Sequence, residues 1–245
     1  MLRNASTGFF GKLPAHGDFI HRGLSTHCIN VWDDWLQAVV GATQEQLGEH
    51  WLDVYLTSPI WRFALSPGVI DGHLWAGISL PSVDRVGRYF PFTILSCAAA
   101  QVPATVMLTD NDDWFETMEE IALAALDGQL VLEEMAARVQ QVPLATSSAY
   151  TQARPAPGGG QRVVAMQDEE DSPGSVYPYL LDAALTSAAP SYSIWSTRGS
   201  DRVEPCVATA NGLPPVASVA AMYTGQWRDW QWEQPYDRRG GEHGI

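Results

Sequence analysis

Three residues with metal-ligand chemistry sit close together near the start of the chain, as His16-x-Asp18-x-x-His21. Two imidazoles and a carboxylate could hold a divalent ion if a turn gathered them, and such an ion could activate water for hydrolysis. The plainer reading is a loop in which Asp18 caps a turn and both histidines are solvated. Ser82 with Asp84 offers a second, weaker arrangement, a nucleophile with a carboxylate but no histidine near it in sequence. The segment that draws most notice is Pro81-Ser82-Val83-Asp84-Arg85-Val86-Gly87-Arg88. It gathers charge in a chain where only 17% of residues are charged. It is also longer than the roughly 2–5 residues a simple hairpin turn requires. Asp84 lies between two arginines, whose guanidinium groups can donate paired hydrogen bonds to a carboxylate. Two readings follow: an internal ion-pair lock, or a displayed loop in which Arg85 or Arg88 meets an acidic or phosphorylated surface. Ser58-Pro59-Ile60-Trp61-Arg62-Phe63 repeats the theme, with Trp61 and Phe63 on one strand face and Arg62 on the other.

Linear signatures of common enzymes are missing. The chain has no Gly-x-Ser-x-Gly elbow, phosphate loop, dinucleotide fingerprint, His-Glu-x-x-His or Cys-x-x-Cys. With 14 basic and 28 acidic residues, the net charge is −14. Nucleic acid and anionic lipid are therefore disfavoured as partners. Cys28, Cys97 and Cys206 are far apart in sequence, which fits reduced thiols in a cytosolic protein. The N-terminus lacks the apolar core of a signal peptide, and no stretch suits a bilayer, so a cytoplasmic location is expected.

The elements that position these residues follow from periodicity. Thr7–Leu13 reads as a strand and Pro14–Leu24 as a loop. A helix is expected from an Asn30 cap to Gly48, with Trp32, Trp35, Leu36, Val39, Val40 and Leu47 forming one apolar stripe. Strands are expected at Trp61–Leu65, His73–Leu80 and Tyr89–Ala98, apolar on both faces and so covered on both. Pro91 belongs near a strand end. Asp112–Leu126 and Leu130–Gln140 read as a helical pair, and Val176–Leu185 as a further helix. Tyr192–Thr197 and Val203–Ala208 read as paired strands, and Gly212 to Tyr223 as a last helix entered through prolines. The expected fold is α/β: a three-layer α/β/α domain over residues 1–227 with a mixed, mostly antiparallel sheet. Within it, 141–175 is expected to be a mobile insertion, and 228–245 forms a tail. Trp227, Trp230 and Trp232 could pack on the body or dock a partner.

Several of these blocks, in order, resemble the TagF family of type VI secretion-associated accessory proteins. They are Gly8-Phe9-Phe10-Gly11-Lys12-Leu13-Pro14 with His16-Gly17-Asp18-Phe19; Trp32-Asp33-x-Trp35-Leu36; Ser58-Pro59-x-Trp61-Arg62-Phe63; and Pro81 to Pro91. Ser193-Ile194-Trp195 before Gly199-Ser200, and Gly212-Leu213-Pro214, fit a weaker C-terminal pattern. The resemblance runs from about Gly8 to Trp227. It implies the three-layer fold and a role as a post-translational repressor of type VI secretion. It further implies a partner, the forkhead-associated scaffold protein that promotes assembly of the apparatus. Some relatives carry a fused metal-dependent phosphatase, for which this chain has neither spare length nor an aspartate-rich motif. No catalytic residue, metal or cofactor is therefore expected. The residues nominated for partner contact are Lys12, His16, Asp18, Arg62, Ser82, Asp84, Arg85 and Arg88. The competing expectations are a metal-dependent hydrolase built on His16, Asp18 and His21, and a structural subunit of the apparatus.

Overall fold

A computed structural model describes residues 6–98, 102–146 and 163–236. The strands are β1 (Ser6–Gly11), β2 (Ile20–Arg22), β3 (Trp61–Leu65), β4 (Leu74–Leu80), β5 (Phe92–Ala98), β6 (Tyr192–Thr197) and β7 (Cys206–Asn211). They form one sheet in the order β2-β1-β5-β4-β3-β6-β7. Every pairing is antiparallel, so the sheet is not mixed. The long helical excursion between β5 and β6 returns the chain antiparallel to β3, where a strand-helix-strand crossover would have returned it parallel.

Alternate residues along the central strands feed two separate cores. Ala64, Leu74, Ala76, Ile78, Leu80, Phe92 and Ile94 join one. Phe63, Leu65, Trp75, Leu95 and Trp195 join the other. This is the period-2 pattern of a strand buried on both faces. A strand over Tyr89–Ala98 would place Phe90 on the same face as Phe92, but Phe90 belongs to the second core, because β5 begins at Phe92 and the preceding backbone has left the strand path. Gly77 lies at a close approach between β4 and its neighbours. A Cβ there would fall 2.4 Å from the Ile94 oxygen and 2.7 Å from the Phe63 ring.

The second core rests on α1 (Thr26–Leu47), α2 (Trp51–Leu56) and α7 (Ala220–Thr224). Ser25, not Asn30, caps α1, its hydroxyl accepting from the Cys28 N–H at 3.2 Å. Trp32 of α1 is fully buried, stacked on Phe63 at 4.8 Å and on Trp195 at 6.4 Å, and it donates to Thr93 Oγ1 at 3.0 Å. The first core rests chiefly on α3 (Ala104–Asp110), α4 (Asp112–Leu126) and α5 (Leu132–Gln141), with α6 (Tyr177–Ala188) packed beside α3.

Residues 142–146, expected within the insertion, are anchored to the body. Leu144 is buried, Trp114 Nε1 donates to the Val142 oxygen, and the Asn111 amide bonds Ala145. Residues 163–171 carry no helix or strand. The expected mobility of residues 147–162 falls outside the described residues. The junction of body and tail packs inward: Trp227 meets Trp61 edge-on, and Trp232 Nε1 donates to the Ser218 oxygen at 2.8 Å. Cys28, Cys97 and Cys206 are free thiols. Burial pushes Cys28 up to about 12 and the other two to about 11, so none is a ready nucleophile.

Candidate functional site

At one end of the sheet, the segment leaving β1 meets the β4–β5 connection. Gly11 makes the approach possible. Its φ is +135°, and a Cβ there would lie 2.2 Å from the Pro91 oxygen. Lys12 then enters the loop with its ammonium 2.8 Å from Asp84 Oδ2. Asp84 is the hub. Arg88 Nε donates to Oδ2 at 2.6 Å, and the Val86 and Arg88 amides donate to Oδ1 at 3.0 and 2.9 Å. The turn is closed by Asp84 N donating to the Arg88 oxygen and Gly87 N donating to the Asp84 oxygen, both at 3.0 Å. Gly87 supplies the left-handed residue this turn needs, with φ of +87°.

The hub is braced from three sides. Ser82 Oγ donates to the Lys12 oxygen at 2.7 Å. Tyr55 of α2 accepts from Ser82 N and donates to the Ser82 oxygen, both at 2.9 Å. Arg85 N donates to the His16 oxygen at 2.9 Å, and Arg88 also reaches the Gly17 oxygen. Phe19 stacks on Phe10 at 5.6 Å and meets Phe90 edge-on at 4.9 Å, with the Lys12 ammonium 4.8 Å from its ring centre.

Of the nominated residues, Lys12, His16, Asp18, Ser82, Asp84, Arg85 and Arg88 come together here. Arg62 does not. It turns to the first core's side, donating through Nε and Nη2 to both carboxylate oxygens of Glu119 (2.6 and 3.1 Å) and through Nη1 to Asp112 at 2.7 Å. Arg62, Lys12, Ser82 and Asp84 are each 5% exposed or less, so they lie beneath the surface and shape it from within. What is displayed is Arg85, Val86, Arg88, Asp18 and the edge of Phe19. Gly17 leaves room for Arg85, since a Cβ there would lie 3.2 Å from its guanidinium. The ion-pair lock and the displayed loop are thus one object, with Asp84 inside and Arg85 outside.

Sequence reasoning missed Tyr55, Phe19 and Val86. An aromatic at position 19 amid polar loop residues was a usable signal for Phe19. Nothing in the order of residues ties Tyr55 to Ser82.

The hydrolytic arrangements are not assembled. Among the described residues, no three of His, Cys, Asp and Glu are grouped closely enough to hold a metal, so His16, Asp18 and His21 do not form a site. His21 is drawn off into β2, paired with Phe10. Ser82 commits its hydroxyl proton to the Lys12 oxygen, while Asp84 faces Lys12 and Arg88.

Burial alone would raise the Asp84 pKa, but the Lys12 ammonium and the Arg88 and Val86 donors outweigh it and hold the carboxyl well below the usual carboxylate range. With the folded value depressed, the lock's contribution is fully present above the ordinary carboxylate pKa of about 3.9 and is lost as pH falls through the folded value. Urea midpoints of the wild type and Asp84→Asn should therefore differ by a constant amount from neutral pH down to about 4, and converge below it.

A family model described as the TagF N-terminal domain, type VI secretion system-associated, matches residues 8–142. The chain belongs to the TagF family. The solved structure of PA0076 from Pseudomonas aeruginosa PAO1 is 34% identical to this TagF-family chain, with a TM-score of 0.74. The match covers 90% of this chain and 95% of PA0076. No curated protein matches. The family model stops at the end of α5, but the fold of this TagF-family member does not: β6 and β7 extend the same sheet beyond β3. Association with type VI secretion is thus shown by family. No helix among the described residues is long and apolar enough to cross a membrane.

Proposed function

We propose that this chain is a non-catalytic, post-translational negative regulator of type VI secretion that works by binding a component of the apparatus in the bacterial cytoplasm. Its partner in this reading is the forkhead-associated scaffold protein. The scaffold on which the loop is mounted is read as three-layer α/β/α, a reading supported by the two cores on alternate strand faces.

One observation carries the binding reading: a buried Asp84 spends its donors' charge internally while holding Arg85 and Val86 outward on a braced turn. A rigid loop loses little conformational entropy on docking, which favours recognition over mere connection. A guanidinium beside exposed apolar surface matches an acidic or phosphorylated segment with an adjacent apolar side chain. Arg85 donates to the anionic group, and Val86 and Phe19 supply apolar contact. The overall acidity of the chain makes this small basic tip stand out electrostatically.

The test uses Arg85→Glu with Val86→Asp, which leaves Lys12, Asp84 and Arg88 untouched. Capture of the forkhead-associated protein should weaken at least about tenfold, the equivalent of some 1.4 kcal/mol. In cells, deletion of the protein should raise export and overproduction should lower it. Equal capture by wild type and variant would remove the loop from the interface. Stable co-sedimentation with assembled sheath or baseplate, with export unchanged, would replace regulation by a structural role.

A further inference from the structure

Charge at the displayed tip is nearly balanced. Lys12 and Arg88 share the buried Asp84, at 2.8 and 2.6 Å. Asp18 adds a second carboxylate, with Oδ1 3.9 Å from Arg88 Nη2 and a side chain 91% exposed. Arg88 is turned inward, since its Nε donates to Asp84 and its Nη2 to the Gly17 oxygen. Arg85 is in no ion pair among the described residues, so the tip as a whole carries one uncompensated positive charge. The Arg85 guanidinium lies over Gly17, where a Cβ would come 3.2 Å from Nη2. Asp18, the next residue, therefore stands beside whatever anion Arg85 receives. Its Oδ1 is held there by the Phe19 N–H, which donates to it at 3.2 Å.

We propose that the tip selects a carboxylate side chain, Asp or Glu beside an apolar residue, over a phosphorylated one, and that Asp18 sets this preference. The inference rests on the binding role given to Arg85 and names the class of anion it takes. A carboxylate carries one charge, and one guanidinium meets it with two parallel hydrogen bonds. The pair is then neutral, and Val86 and Phe19 lie ready for the apolar neighbour. A phosphate monoester carries about −1.5 to −2 at neutral pH. Recognition of such groups draws on clusters of arginines. Here the first charge would meet Arg85, and the remainder would face Asp18 and a chain whose net charge is −14. The more highly charged group also loses more hydration on docking. Repulsion by Asp18 across roughly 7 Å of water-like medium weakens binding about threefold for each extra charge.

The test uses two capped peptides, Ala-Leu-Glu-Leu-Ala and the same sequence with phosphoserine in place of glutamate. Each is titrated into the full chain at low salt, where screening is weakest. Nuclear magnetic resonance follows the Arg85 Nε–H and the Val86 N–H. Both signals should shift with the glutamate peptide, which should bind at least about threefold more tightly than the phosphoserine peptide. Asp18→Asn keeps the oxygen that accepts from Phe19 and removes the charge, so it should bring the two affinities together. Arg85→Gln should abolish the Val86 shift with either peptide. Tighter binding of the phosphoserine peptide by the wild type overturns the proposal. So does an affinity ratio unchanged in Asp18→Asn, or the absence of any shift at Arg85 and Val86. Capture of the forkhead-associated protein is a separate readout. If Arg85→Glu with Val86→Asp leaves that capture intact while the peptide preference holds, the partner assignment falls and the selectivity of the tip stands.

Discussion

Trp32→Ala should lower the free energy of unfolding by about 4 kcal/mol, within the range seen when a fully buried tryptophan is cut to alanine. Domains of ordinary stability have only about 5–15 kcal/mol in total, so the variant should sit near its threshold at body temperature. The size follows from what the indole touches. It fills the space between α1 and the sheet, lies against Phe63, Trp35 and Trp195, and gives its N–H to Thr93. Removal leaves a cavity lined by aromatic faces too rigid to collapse, and it takes the shorter of two hydrogen bonds from the completely buried Thr93 hydroxyl, leaving the one to Ser79 Oγ at 3.4 Å. Urea denaturation at constant slope is the measurement. Trp32→Phe should keep most of the packing and recover more than half of the loss. A change under about 1 kcal/mol for the alanine variant would mean that the aromatic cluster is not the keystone of this core.

Arg62→Met should cost about 3 kcal/mol, because removing one member of a buried ion pair strands the other. Glu119 is the stranded group, its side chain 16% exposed; Asp112, 69% exposed, is readily hydrated. Methionine keeps the aliphatic stem, so the loss reports charge more than volume. The double variant Arg62→Met with Glu119→Leu should regain most of the stability, as replacing a buried pair by apolar groups often does. Arg62 lies under α4 and is only 5% exposed. Partner capture by the folded fraction of Arg62→Met should therefore match the wild type. A specific binding defect in a well-folded variant would return Arg62 to the interface.

How much of this was legible in the sequence varies by element. β3, α4 and β6 have the boundaries that alternation or helical spacing gives, because each is bounded by a strong stop: Pro59 and Pro67, Asn111 and Gly128, Pro190 and Gly199. The start of α1 was not legible. Ser25 caps it, but the first turn, Thr-His-Cys-Ile, lacks the apolar period that begins at Trp32. The helix α2 was missed because Trp-Leu-Asp-Val-Tyr-Leu is too short to show a period. The strand β2 was hidden by its three-residue length, and α3 by an entry through Pro103. At the site, the sequence showed which charges cluster but not which way they face. Whether Asp84 points in or out is decided by Lys12 and Tyr55, which come from distant parts of the chain. Spacing along the chain carries no record of that.

The pairing of β3 with β6 has a consequence for how the protein is made. β3 leaves the ribosome early, yet one of its two hydrogen-bonding neighbours is synthesised only after the whole helical excursion. Until residues 192–197 emerge, the nascent chain carries Trp61, Phe63 and Leu65 on a strand with one open flank. Pairing across such separations is slow, and a half-built sheet is prone to aggregation. Fragments ending near residue 142 would be frozen in that unfinished state. Their expression should depend on chaperones far more than that of the full chain.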